Sequence, residues 1–143
     1  MSDEEIRTRG HVHLIDINAP AKDVWHALVD EEWLTRWYSD TARIDARVGG
    51  FFRLGFEKED DVEATIDVFD EQKRLRLIYL PLENLPSDAT LVCDFLLDDD
   101  GKNTTTVHLF QSGIPRLKTW GEYFRFARVM WDRRLVKLRK ILE

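Results

Sequence analysis

One cysteine, Cys93, occurs in 143 residues. It excludes an internal disulfide and, with it, a cysteine-rich zinc site. Proline and glycine are sparse, at four and seven, and no Ser/Pro/Gly-rich linker or fixed-period repeat breaks the chain, so one domain over residues 8–143 is expected. No apolar run approaches the roughly 20 residues of a membrane span. Residues 1–10, MSDEEIRTRG, are charged and contain no apolar signal core, so a reducing cytoplasm is the expected compartment. Positive charge is in deficit: 21 Lys and Arg stand against 27 Asp and Glu, a net −6. Such a surface repels phosphate backbones and disfavours nucleic acid as a partner. What is abundant is core material. With 43% hydrophobic and 34% charged residues, the balance is that of a folded globular domain, not a disordered chain.

Periodicity divides the chain into three parts. Residues 11–17 (HVHLIDI) alternate, with His11, His13, Ile15 and Ile17 on one face, and predict a strand. Asn18-Ala19-Pro20 ends it, with Pro20 placed to open a helix. Val24, Trp25, Leu28 and Val29 recur at helical spacing, and a break near Asp30 leads to a second short helix through Trp33, Leu34 and Trp37. Six strands follow, over residues 41–48, 51–56, 62–69, 74–80, 91–97 and 104–111, joined by short turns. The first of these is expected to carry Ala42, Ile44, Ala46 and Val48 on one face, and residues 81–88 read as a loop. From Trp120 the period changes. Trp120, Phe124, Ala127, Trp131, Leu135, Leu138 and Leu142 step by three and four, the stripe of one amphipathic helix. At about 1.5 Å per residue it reaches roughly 35 Å, and it must lie across the sheet to bury that stripe. The expected class is α+β: a curved antiparallel sheet of six to seven strands wrapped around a long C-terminal helix, with two short helices after the first strand.

This order, with particular residues, resembles the START-like (Bet v 1-like) superfamily and its helix-grip fold. It is most similar to the family named after the C-terminal domain of the Hsp90 ATPase activator Aha1. The segments that carry the resemblance are INAPAKDVWHAL at 17–28, WLTRWY at 33–38, VGGFFRL at 48–54, the Asp70…Arg74-Leu75 turn and strand, QSGI at 111–114 and WDRRLVKL at 131–138. Gln111 stands where many relatives have His before Ser-Gly. The resemblance implies a cavity between sheet and helix, often used for an apolar or amphipathic small molecule. No cofactor is expected. Members range from lipid carriers to polyketide cyclases and co-chaperone domains, so fold alone gives no reaction.

Candidate ligand-binding residues are the inward aromatics Trp37, Phe52, Phe56, Tyr79, Phe95, Trp120 and Phe124. Trp131 and Leu135 read as core. The superfamily's sheet makes the first and last strands neighbours. That arrangement implies that His11 and His13 come near Gln111, forming a polar group at one end of the cavity. Two His at this spacing can share a metal, but no third ligand is evident nearby in sequence. His26 and His108 are expected at the surface. Cys93 faces inward, and Ser39 and Ser112 have no visible base partner, so no catalytic constellation emerges. The acidic run Glu57, Glu59, Asp60, Asp61 and Glu63 reads as a solvated hairpin tip.

The last helix carries Arg125, Arg128, Arg133, Arg134, Lys137, Arg139 and Lys140. Cations there favour the helix dipole, or offer a docking strip to an acidic partner protein. Outward apolar side chains, Ile78, Val92, Leu96 and Phe110 on the sheet and Phe126, Val129 and Val136 beside the helix stripe, raise the prospect of a homodimer. Three functions compete: a binding domain for a small apolar or amphipathic ligand, a co-chaperone-like interaction module, and a cyclase or dehydratase using His13 or Tyr79.

Overall fold

The computed structural model describes residues 7–81 and 89–143. Strand β1 (Thr8–Ile17) leads into α1 (Ala21–Val29) and α2 (Glu31–Trp37). Then come β2 (Thr41–Ile44), β3 (Phe51–Gly55), β4 (Val62–Asp70), β5 (Arg74–Tyr79), β6 (Val92–Asp99) and β7 (Thr105–Pro115). A single 3-10 turn, Lys118–Trp120, opens into α3 (Gly121–Leu142). The seven strands form one antiparallel sheet in the order β1-β7-β6-β5-β4-β3-β2. The α+β helix-grip architecture expected from the sequence is the one observed.

Local chemistry explains the boundaries. Pro20 caps α1 from an extended conformation, one position earlier than expected, and its carbonyl accepts from Asp23 N and Val24 N. Asp30 ends α1 and starts α2: its carboxylate accepts from Trp33 N at 3.1 Å. Strand β2 is half the expected length. The apolar alternation suggested pairing through Val48, but the backbone turns from Asp45, with Arg47 N donating to Asp45 O and Gly50 N to Arg47 O. A Cβ on Gly50 would lie 2.0 Å from Asp45 O, so only glycine permits this turn. Val48 is left 61% exposed. The expected loop at 81–88 falls, apart from Pro81, outside the described residues.

Alternation elsewhere delivers each face as expected. Ile17, Phe52, Leu54, Leu75, Leu77, Cys93, Phe95, Val107 and Leu109 are buried between the concave face and the helices. Helix α3 closes that layer through Trp131, Leu135 and Leu138. Trp131 stands edge-on to Phe95 and to Tyr38, with ring centres 5.7 and 5.0 Å apart. On the convex face Asp94 is covered by Arg74 and Arg76, which donate to it at 3.0 and 3.1 Å. Ile78, Val92 and Leu96 are half-buried there, while Val12, Leu14 and Phe110 are exposed.

Candidate functional site

Two adjoining spaces lie between α3, α2 and the β3–β4 turn. The inner one, of about 60 Å³, is bounded by Tyr38 at the end of α2, Phe56 and Val62 around the β3–β4 turn, Tyr79 at the end of β5, and Gln111 on β7. Helix α3 closes it with Tyr123, Phe126, Ala127, Trp131 and Arg134. The outer one is an open groove of about 700 Å³ between α2, the 56–59 turn and the second half of α3. Tyr38, Phe56, Glu59 and Arg134 line both. Arg134 is the partition. Its guanidinium lies 4.9, 5.4 and 5.5 Å from the ring centres of Tyr38, Phe56 and Trp131 and donates to Glu59 Oε2 at 3.4 Å. The acidic turn is thus tied to α3 through Glu59, and Asp61 accepts from Phe56 N. It is more than a solvated tip.

The inner cavity is apolar with a hydroxyl-bearing wall. Tyr38 Oη and Tyr79 Oη are 3.4 Å apart. Burial, the first cause in each case, raises the pKa of Tyr38 and of Tyr79 above the ordinary phenol value and pushes those of Cys93 and Tyr123 up to about 12. All four stay protonated at neutral pH. Cys93 therefore presents a thiol, not a nucleophilic thiolate.

The wall on the β1 side is polar. Registers His11↔Gln111 and His13↔Leu109 align the two strands. A bulge at Gly10 aims His11 inward, and a Cβ on Gly10 would meet Gln111 O at 2.0 Å. His13 Nδ1 lies 2.6 Å from Asp132 Oδ1 on α3, and His13 Nε2 lies 2.7 Å from His11 Nδ1. Gln111 Nε2 lies 2.8 Å from Tyr123 Oη. His11 Nε2 and Gln111 Oε1 are buried without a hydrogen-bond partner. Burial, then neighbouring His13, hold the His11 pKa down at about 4.

The structure brings together only part of the expected site. Phe56, Tyr79 and Gln111 line the inner cavity, and Trp37 with Phe56 lines the groove. Phe52, Phe95 and Trp120 are each 1% exposed and border neither space. Phe124 is held between Arg9, 3.8 Å above its ring, and His11 at 5.7 Å. His13 joins the site through Asp132 and His11. Tyr38, Tyr123 and Asp132 are not among the site residues expected from the sequence, and Arg134 is expected there only as one cation of the basic strip on the last helix. Tyr123 and Arg134 do share the helical spacing of Trp120, Ala127 and Trp131, which is the signal that points to them. Among the described residues no group of three or more His, Cys, Asp or Glu side chains is arranged to hold a metal ion, and no helix is long and apolar enough to cross a membrane.

A sheet gripping a long helix, with a small cavity between them, defines a helix-grip domain. The family model described as activator of Hsp90 ATPase homolog 1-like protein matches residues 18–143. The chain belongs to that family. Among solved structures it is similar to protein MLL2253 from Mesorhizobium loti, with 20% identity and TM-score 0.82 over 94% of this chain and 96% of that one. It is similar to the Aha1 dimer of Colwellia psychrerythraea, with 18% identity and TM-score 0.78 over 94% and 96%. CalU16 of Micromonospora echinospora matches with 21% identity and TM-score 0.76 over 95% and 77%. At these identities the likeness is one of fold. No curated protein matches the sequence significantly.

Proposed function

We propose that this domain binds a small amphipathic ligand, with its polar end in the inner cavity and its apolar body in the groove. The observation that carries this reading is the position of Arg134. As it stands the cavity has room for about two water molecules, below the roughly 300 Å³ of ordinary ligand pockets. Arg134 is one of the four residues that line both spaces, and displacing its side chain would join the cavity to a groove of about 700 Å³. The rim of that groove carries Arg36, Lys58, Arg133, Lys137 and Lys140. The reading has no catalytic residue and no cofactor, and it places the protein in the cytoplasm, where its single thiol stays reduced. The test is native mass spectrometry of the purified protein, then titration with 1-anilinonaphthalene-8-sulfonate. Wild type should retain a ligand or saturate with the dye. Ala127→Leu, which fills the cavity, should weaken binding while leaving the fold intact. No retained mass and no saturation sink the proposal.

A second reading, self-association, rests on Val12 and Leu14, 61% and 62% exposed on the convex side of edge strand β1 beside Phe110. The Colwellia relative is described as a dimer. The exposed cations of α3 leave an acidic protein partner, such as a chaperone, as the alternative occupant of the helix side.

A further inference from the structure

The wall of the inner cavity carries more hydrogen-bond donors than acceptors. Arg134 has five N–H groups, its side chain is 11% exposed, and its one hydrogen bond among the described residues is the 3.4 Å contact with Glu59 Oε2. Tyr38 Oη and Tyr79 Oη, 3.4 Å apart, use one proton between them and leave the other O–H without an acceptor among the described residues. Tyr123 Oη accepts from Gln111 Nε2 at 2.8 Å, so its own proton is left for a further partner. All three phenols are protonated at neutral pH, held so by burial. Against these donors stand Gln111 Oε1 and, at the mouth, the Glu59 carboxylate, whose side chain is 33% exposed. No other carboxylate among the described residues lines the cavity. Resting on the cavity reading above, we propose that the polar end of the ligand is a carboxylate, which takes the place of Glu59 on Arg134 and sets its two oxygens in the inner cavity.

Size, charge and exchange each select this group. The cavity has room for about two water molecules, and a carboxylate brings two oxygens in one plane, whereas a sulfonate or phosphate brings at least three. Arg134 is already withdrawn from water in the free protein, so only the incoming carboxylate sheds its water on pairing. The guanidinium fork matches a carboxylate through two N–H bonds. The unspent O–H groups of Tyr123 and of the Tyr38–Tyr79 pair donate to the remaining lone pairs, which completes the hydrogen bonding that a buried ion pair requires. Glu59 is the group that gives way. It is more exposed than Arg134, and its 3.4 Å contact is longer than the roughly 2.7–2.9 Å of a well-formed charged N–H···O bond. Released, it regains water. A neutral alcohol leaves the Arg134–Glu59 pair in place, and a cationic head is repelled by Arg134. The approach favours an anion as well: six cationic and four carboxylate side chains line the groove, in a chain whose net charge is −6. Trp37, Met130 and Val136 in the groove receive the apolar body.

The test compares decanoate, decanol and decanesulfonate, three head groups on one chain, at about pH 7.5, where a carboxylic acid is ionised. Binding is read from tryptophan emission, since Trp37 lines the groove and Trp131 the cavity. Decanoate should bind more tightly than decanol by about tenfold, the scale of one charged hydrogen bond, and decanesulfonate no better than decanol. Glu59→Gln, a change at the rim, should tighten decanoate several-fold and leave decanol unchanged, because it removes the internal competitor. Arg134→Gln should erase the preference for decanoate. Decanol binding as tightly as decanoate, decanesulfonate matching decanoate, or decanoate weakened by Glu59→Gln overturns the carboxylate and leaves the cavity reading standing. If none of the three binds, both readings fall.

Discussion

Arg134 lays its guanidinium over the Tyr38 ring, 4.9 Å from the centre, and thereby stands between the cavity and the groove. Its side chain is 11% exposed, and the Glu59 carboxylate holds its outer edge. Arg134→Ala is expected to speed association of an apolar fluorophore several-fold in stopped-flow mixing. Glu59→Gln, which leaves the stacking intact, should do so less. Identical rates in all three proteins refute the gating role.

Trp131 is the centre of the helix–sheet contact, at 2% exposure between Phe95 and Tyr38. Trp131→Ala removes a large buried side chain and should cost about 3–5 kcal/mol in urea unfolding. A cost below about 1 kcal/mol is incompatible with the packing described.

His11 resists protonation in the folded state down to about pH 4, whereas an unfolded histidine takes its proton near 6.5. Between those values the unfolded chain binds more protons, so stability falls as the pH is lowered through the window. Denaturant midpoints should show this loss in wild type and less of it in His11→Gln. Parallel curves for the two proteins contradict the assignment.

Self-association through the convex side of β1 is read by light scattering at tens of micromolar. A dimer should show twice 16.9 kDa, and Leu14→Lys should return it to the monomer mass. Burying Val12, Leu14 and Phe110 gives roughly 1.5–3 kcal/mol each at best, against several kcal/mol lost on association. A wild type that stays at 16.9 kDa excludes this pairing.

The fold was legible because strand alternation reports which face meets the core, and that signal survived in β1, β3, β5, β6 and β7. It misled at residues 45–48, where apolar residues at alternate positions continue past the point at which Asp45 and Gly50 turn the backbone. The site was legible only in part. His11, His13 and Gln111 come together through strand pairing, which the helix-grip resemblance implied. Asp132 depends on how α3 crosses β1, a relation between distant segments that no local period encodes. Tyr38 is the C-cap of α2 and continues the spacing of Leu34 and Trp37, which marks it as buried but not as a cavity wall. The aromatics Phe52, Phe95 and Trp120 face inward as expected but are enclosed by their neighbours, and alternation alone does not separate a wall from a filling.

The first strand of the chain lies beside the last, with Ile17 opposite Thr105 and Thr8 opposite Pro115. During synthesis β1 leaves the ribosome with no strand to pair with until about a hundred residues later, when β7 emerges. The seam between them therefore closes late, after the β2-to-β6 meander has had its partners at hand, and the loop it closes spans most of the domain. Until then Val12 and Leu14 travel on an unpaired edge, the form in which nascent chains are most open to pairing with one another.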